Sequence, residues 1–322
     1  MELLKSKIAN IISKTFHINS KTFNINSIKL ITKINYNHLL YILTLIELDD
    51  GRLVSGSGDY NIIIYNKRTF KPDIIIKEHQ KPITCLTKLN SNKLISCSYE
   101  IKIFKIKHNN YEILQILEFD KSRIFKIIEL KNKNLISCTS DQLIMLYSNN
   151  NDNYQKDYQM LLKNEFRSII QTKETEICCL EFISKKKTEK IIFYDFFKRG
   201  IISKLSGINS SGSPFNMITT DLLVIGGRDE LFIINVNKYE IVRSVKIDNH
   251  GWYNGFCMLN ENMFLTGGSD GIIRQWKIKG DNINLISKKE NVHDNCIYGL
   301  IQLRNGNIAS CSLDRSIKIW CN

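Results

Sequence analysis

His293-Asp-Asn-Cys-Ile-Tyr-Gly-Leu-Ile-Gln-Leu303, then Asn307-Ile-Ala-Ser-Cys-Ser312, then Asp314-Arg-Ser-Ile-Lys-Ile-Trp320 is the stretch that decides the fold. The same phrase stands near the start of the chain. His38 leads to Ile42–Leu48, Arg52-Leu-Val-Ser-Gly-Ser57 and Asp59-Tyr-Asn-Ile-Ile-Ile-Tyr65. The His-to-Asp gap is 21 in both copies (314−293 and 59−38), and the Asp-to-aromatic gap is also shared. A shared period of this kind predicts a repeat architecture.

The turn acids set the register. Asp59, Glu100, Asp141, Asp229, Asp270 and Asp314 stand 41 to 44 residues apart (100−59, 314−270), except for one double gap between Asp141 and Asp229. That gap holds one degenerate copy, with strands expected at Phe166–Thr172, Glu176–Ile183 and Lys190–Phe197, which makes seven units. Each unit carries four short runs rich in Ile, Val, Phe, Tyr and Thr, bounded by Asn, Asp, Gly and Ser, as strands and turns require. Helical spacing is convincing only at the start, where Leu4, Ile8, Ile11, Ile12 and Phe16 share a face.

After Trp320 the seventh unit lacks a fourth strand. Ser27–Ile34, just before His38, is a spare one, and it is expected to pair with Ser316–Trp320 and close the ring. Closure removes an exposed sheet edge. The expected division is an N-terminal helix and extension over residues 1–26 and a propeller over 27–322.

These residues resemble the WD-repeat family of β-propellers, over roughly residues 27 to 322. The resemblance implies an all-β, single seven-bladed WD-repeat propeller. In each blade of that family a His, a Ser or Thr, an Asp and a Trp form a hydrogen-bonded structural tetrad. The seventh unit matches with His293, Ser310 or Ser312, Asp314 and Trp320. The first matches with His38, Ser55 or Ser57, Asp59 and Tyr65 in place of Trp. The sixth matches with His250, Thr266, Asp270 and Trp276. The second keeps His79 but carries Glu100, the third has Asp120 where His is expected, the fifth keeps only Asp229, and the fourth keeps none. A His/Asp/Ser set also resembles a hydrolase triad, but here it recurs unit by unit.

The resemblance further implies that peptide ligands sit over the central channel. They would touch residues just before each first strand and just before each turn aspartate. Carried over, those positions give Tyr41, Arg123, Arg167, Arg228 and Trp252, residue types enriched at binding hot spots. Arginines there favour an acidic or phosphorylated ligand.

The rest of the sequence narrows the function by exclusion. It shows no phosphate-cradling Gly loop, no Cys-x-x-Cys pair and no His cluster with metal-ligand spacing, so no cofactor and no metal are expected. Nor does any 18-residue apolar run mark a transmembrane helix. Residues 1–16 lack a secretory signal's apolar stretch, and Glu2 with the absence of Arg opposes a mitochondrial presequence. The nine cysteines read as reduced and buried, in a cytoplasmic protein. The net charge of +13 comes with abundant Ile, Asn and Lys, a bias that an AT-rich genome produces without selection for a polyanion. Scattered lysines argue against nucleic acid, whose binders favour Arg forks and aromatic stacking. Phe197-Lys-Arg-Gly200 is similar to the Phe-Arg-Arg-Gly of phosphoinositide-binding propellers, with one arginine fewer. The Asn-rich stretch Ser148–Asp157 reads as an extended loop.

The expectation is a non-enzymatic protein–protein interaction scaffold that binds peptides or proteins over the channel face, as a substrate receptor or complex subunit. The alternative is a basic surface module for RNA or anionic lipid.

Overall fold

The computed structural model describes residues 23–35, 37–89, 93–117, 122–161, 164–183, 188–208, 215–247 and 251–321. The expected helix over residues 1–16, and the positions of Asp120 and His250, lie outside them.

Seven four-stranded antiparallel sheets are present, six in meander order and the seventh closed by the first strand of the chain. Blade 1 runs through Ile42–Glu47, Leu53–Ser57, Ile62–Tyr65 and Pro72–Ile76. Blades 2 to 6 follow over residues 85–117, 124–161, 165–208, 215–246 and 253–289. Blade 7 combines Ile297–Gln302, Ile308–Ser312 and Ser316–Cys321 with Lys29–Asn35 from the start of the chain. The closing pair runs from Lys29 opposite Cys321 to Asn35 opposite Ser316.

The core lies between blades. Seven apolar clusters fill the seven interfaces, and each draws on neighbouring blades. The second strand of a blade is therefore covered on both faces, and Leu53–Ser57, Leu135–Thr139 and Ile308–Ser312 are buried along their whole length. The adjacent Cys178 and Cys179 alternate across their strand, so Cys179 packs between blades 3 and 4 and Cys178 between blades 4 and 5. All nine cysteines are free thiols, and eight are buried.

Outer strands are the exposed edges. Each carries a register shift against its third strand. A bulge twists an edge and blunts pairing with another chain.

The N-terminal segment does more than supply a strand. Ile25 and Ile28 are buried in the cluster between blades 6 and 7. The Gln275 side chain holds the backbone there, accepting from Ile25 N at 2.9 Å and donating to Phe23 O at 2.7 Å.

The Asn-rich stretch corrects one expectation. It is not an extended loop; it lies in the hairpin of Leu143–Asn150 with Asn153–Leu161. Asn151 and Asp152 turn the chain with φ of 53° and 67°. Two successive positive φ values make a type I′ hairpin, and Asn and Asp tolerate that region well. Polar composition suits an outer strand facing water.

Candidate functional site

In blade 7, His293 Nδ1 lies 2.8 Å from Asp314 Oδ2 and Nε2 lies 2.8 Å from Ser310 Oγ. Trp320 Nε1 donates to the same Ser310 Oγ at 3.1 Å. Only one proton arrangement satisfies this chain. The indole N–H donates to the serine oxygen, the serine O–H to Nε2, and Nδ1–H to the carboxylate. Burial holds His293 below its ordinary value and keeps it neutral. Burial also pushes Asp314 up, but bonds from His293 and Ser316 outweigh it and hold the carboxyl well below the usual range. The set resembles a hydrolase triad in outline, yet Ser310 is fully buried and its oxygen already receives an N–H. No substrate carbonyl reaches it.

Blade 1 repeats the wiring. His38 bonds Asp59 at 2.9 Å and Ser55 at 2.7 Å, and Tyr65 OH stands 3.1 Å from Ser55 Oγ. Ser57 serves the turn instead, bonding Tyr41 O and Asp59 N. In blade 6, Trp276 Nε1 donates to Thr266 Oγ1 at 2.8 Å, and Asp270 pairs with Arg274 at 2.6 Å. Blade 2 adds Ser96, which the sequence reading did not name, to its His79 and Glu100. His79 Nε2 lies 2.5 Å from Ser96 Oγ, and Nδ1 lies 3.2 Å from Glu100. The signal was present: His79 and Ser96 are 17 apart, as are His38 and Ser55 and also His293 and Ser310.

The residues just before the first strands have their own rule. In four blades the residue before the first strand accepts a backbone hydrogen bond from the residue before the turn acid or, in blade 7, its Leu313 counterpart. The pairs are Tyr41 with Gly58, Arg123 with Ser140, Trp252 with Ser269, and Cys296 with Leu313. The Ser140 and Ser269 hydroxyls also accept from Arg123 N and Trp252 N, at 3.0 and 2.9 Å. Arg228 of blade 5 forms an isolated antiparallel bridge with Trp252 of blade 6, and its guanidinium lies 5.9 Å from the indole. Tyr41 stands over Gly58, where a Cβ would collide with its ring. Tyr298 meets this group: burial and Cys296 push its phenol up, the Arg123 guanidinium draws it down, and Tyr41 raises it.

Arg167 stands apart. It lies inside Glu165–Gln171, at the register shift between Phe166 and Ser168, the same position that Tyr298 holds at the shift between Ile297 and Gly299. Glu165 pairs with it at 3.1 Å, and it stacks on Phe182 at 3.6 Å. Glu165 itself occupies the position before the bulge that Tyr41, Arg123 and Trp252 hold in their blades.

Among the described residues there is no group of three or more His, Cys, Asp or Glu able to hold a metal, and no helix long and apolar enough to cross a membrane. The Phe197-Lys-Arg-Gly200 turn joins the third and outer strands of blade 4, with Phe197 79% exposed and Arg199 4.4 Å from the Tyr158 ring.

A family model described as WD domain, G-beta repeat matches residues 287–321, which span the end of blade 6 and three of the four strands of blade 7. No curated protein matches the chain. The propeller of this repeat is generally a protein-interaction scaffold and typically not an enzyme. A repeat match on the blade with the complete tetrad, together with seven four-stranded blades closed by the N-terminal strand, supports a WD-repeat propeller.

Proposed function

We propose that this propeller holds partner proteins on the face at the channel mouth, through Tyr41, Arg123, Arg228 and Trp252, and that its ligand is an acidic or phosphorylated segment. The observation that carries this reading is the Arg228–Trp252 pair. The indole is half-buried, the Arg228 side chain is 61% exposed, and a backbone bridge between two blades fixes both. Arg228 pairs with Asp229 only at 3.6 Å between exposed side chains, and a rigid aromatic beside such an exposed guanidinium suits a carboxylate or phosphate carried on a chain. Arg167 is already committed to Glu165 and contributes less.

The test is a pull-down with Trp252→Ala and Arg228→Ala combined. Losing an anchor aromatic typically costs ~2 kcal/mol or more, about a thirtyfold loss of affinity. The double variant is expected to lose most partners with its melting temperature nearly unchanged, while lysine substitutions on the propeller sides leave them bound. The reverse pattern would replace this reading with a basic surface for anionic lipid or RNA. One observation favours the lipid form of that second reading: the exposed Phe197 sits beside Lys198 and Arg199 at a hairpin tip. Loss of vesicle sedimentation in Phe197→Ser would support it.

A further inference from the structure

One sector of the mouth is apolar where the fold does not require it. Leu39, Leu40 and Tyr41 are 73%, 45% and 36% exposed. Counted from the histidine, the corresponding positions after His79 are Gln80 and Lys81, and those after His293 are Asp294 and Asn295. The loop needs no aliphatic side chain there.

The surroundings follow from hydrogen bonds between neighbouring blades. On one side Arg315, in the blade 7 turn, donates to Leu39 O at 3.4 Å. On the other, Tyr60 follows Asp59 with φ 73° and is 41% exposed. Ser57 O accepts Ile83 N, which brings the blade 2 loop and Lys81 alongside. Lys81 Nζ lies 5.9 Å from the Tyr99 ring, and Tyr99 is 37% exposed. Ser98 O then accepts Ile124 N, so Arg123 comes next, with its Nε buried and without a hydrogen-bond partner among the described residues. Along the rim the order is cation, aliphatic pair, tyrosines, cation, tyrosine, cation.

The acids of this sector are mostly committed. Asp59 and Asp314 hold His38 and His293, Glu100 lies against His79 and Lys102, and Glu78 accepts from Tyr111. Asp294 is exposed, and so is Asp141 in the blade 3 turn beside Arg123, where it accepts from Ser140 Oγ at 3.3 Å. Arg315, Lys81 and Arg123 form no ion pair among the described residues.

We propose that this sector docks a linear segment of a partner protein in which an aliphatic or aromatic anchor is followed by spaced carboxylates. The anchor rests on Leu39, Leu40 and Tyr60, and the carboxylates reach Lys81 and Arg123. The proposal rests on reading the channel-mouth face as the partner surface, and it names the ligand and the sector. Spacing selects carboxylates over a phosphate: the three cations stand on three different blades, whereas a phosphate is gripped by converging donors. Depth selects a peptide over a membrane. Arg123 is half-buried, with its Nε buried and without a hydrogen-bond partner among the described residues and its guanidinium 5.3 Å from the Phe125 ring, where an extended chain reaches and a bilayer surface does not.

The test pans a random dodecamer phage library over the full chain and measures the selected peptides by fluorescence anisotropy against three variants. Enriched peptides are expected to pair an apolar residue with nearby Asp or Glu. Leu39→Ser with Leu40→Ser, both at exposed positions, is expected to weaken them about tenfold or more with an unchanged melting temperature, and Arg123→Gln to weaken them and reduce their salt dependence. Peptides lost in Trp252→Ala but unaffected by the leucine and Arg123 changes would overturn this inference and leave the broader reading standing. Peptides indifferent to all three would overturn both. Sedimentation with phosphatidylserine-containing vesicles that depends on Leu39 and Leu40, with no peptide enriched, would assign the patch to a membrane and overturn it as well.

Discussion

Gln275 accepts a hydrogen bond from the amide of Ile25, 250 residues earlier in the chain, at 2.9 Å. The same side chain donates to Phe23 O, so one buried amide satisfies a donor and an acceptor of the N-terminal segment just before it becomes the outer strand of blade 7. Gln275→Leu keeps the volume and leaves those groups unpaired. We predict a destabilisation of about 1–3 kcal/mol, read by urea denaturation. Deleting residues 1–35 removes the strand as well and leaves Ser316–Cys321 as a raw edge. That truncation is predicted to lose cooperative, soluble folding. Unchanged melting would disprove the closure argument.

The two turn aspartates of blades 7 and 5 are predicted to differ. The Asp314 side chain is 9% exposed and accepts from His293, Asp294 N and Ser316. Asp229 is 42% exposed on its side chain and holds the Gly251 amide. Asp314→Ala orphans an imidazole N–H and turn amides in a buried site, at about 1–3 kcal/mol. Asp229→Ala should cost less, because solvent replaces more of what it loses. Equal losses in chemical denaturation would count against the repeat alignment.

The fold was legible because the repeat is carried by buried residues with fixed spacing. His293, Ser310, Asp314 and Trp320 must meet their partners, so their intervals cannot drift. Where a blade replaces that wiring with apolar packing, as around Leu180 and Phe193 of blade 4, only strand composition remained to mark it. Glu100 was counted as a turn acid, and it stands across the same 21-residue interval from His79, 3.2 Å from Nδ1; what went unread in blade 2 was Ser96. The Asn-rich hairpin hid because outer strands face water and need no apolar alternation. Gln275 was not legible at all: nothing in Arg274-Gln-Trp276 tells that a backbone 250 residues away will lie beside it. Rim residues were placed only by analogy with the family, and analogy put Arg167 one or two positions from where the strand begins.

Acid should weaken the protein through its buried histidines before its carboxylates. Burial, with Lys102 nearby, lowers His79 to about 4 against the pull of Glu100. The unfolded chain takes up that proton near ~6.5. Below ~6.5 the unfolded state therefore binds more protons, and stability falls until about 4, where the folded histidine titrates too. His293 is shifted in the same direction. Asp59 and Asp314 are held low, so their contributions persist until pH falls below ~3.9. His79→Gln is predicted to flatten the dependence of unfolding free energy on pH between ~6.5 and ~4, removing a loss on the order of a few kcal/mol. A parallel, merely displaced curve would mean His79 is solvated.

Volume at the blade interfaces is traded between cross-strand partners, which gives a test of packing that does not involve the tetrads. Gly299 sits opposite Cys311, and Thr44 opposite Gly56. A Cβ on Gly56 would come within 2.6 Å of Ile83 Cγ2 in the next blade and 2.9 Å of Thr44 Cγ2. In blade 7 the glycine is on the first strand instead, so Cys311 has room and its thiol reaches Ile42 O at 3.6 Å. Gly56→Cys should therefore destabilise by about 1–3 kcal/mol through overpacking, although cysteine is native at the same position of blade 7. Adding Thr44→Gly rebuilds the blade 7 arrangement in blade 1 and should recover part of that loss; double-mutant denaturation reads the coupling. No recovery would mean the strain lies wholly against Ile83, and that the interface between blades 1 and 2, rather than the strand pair, sets the limit on side-chain size.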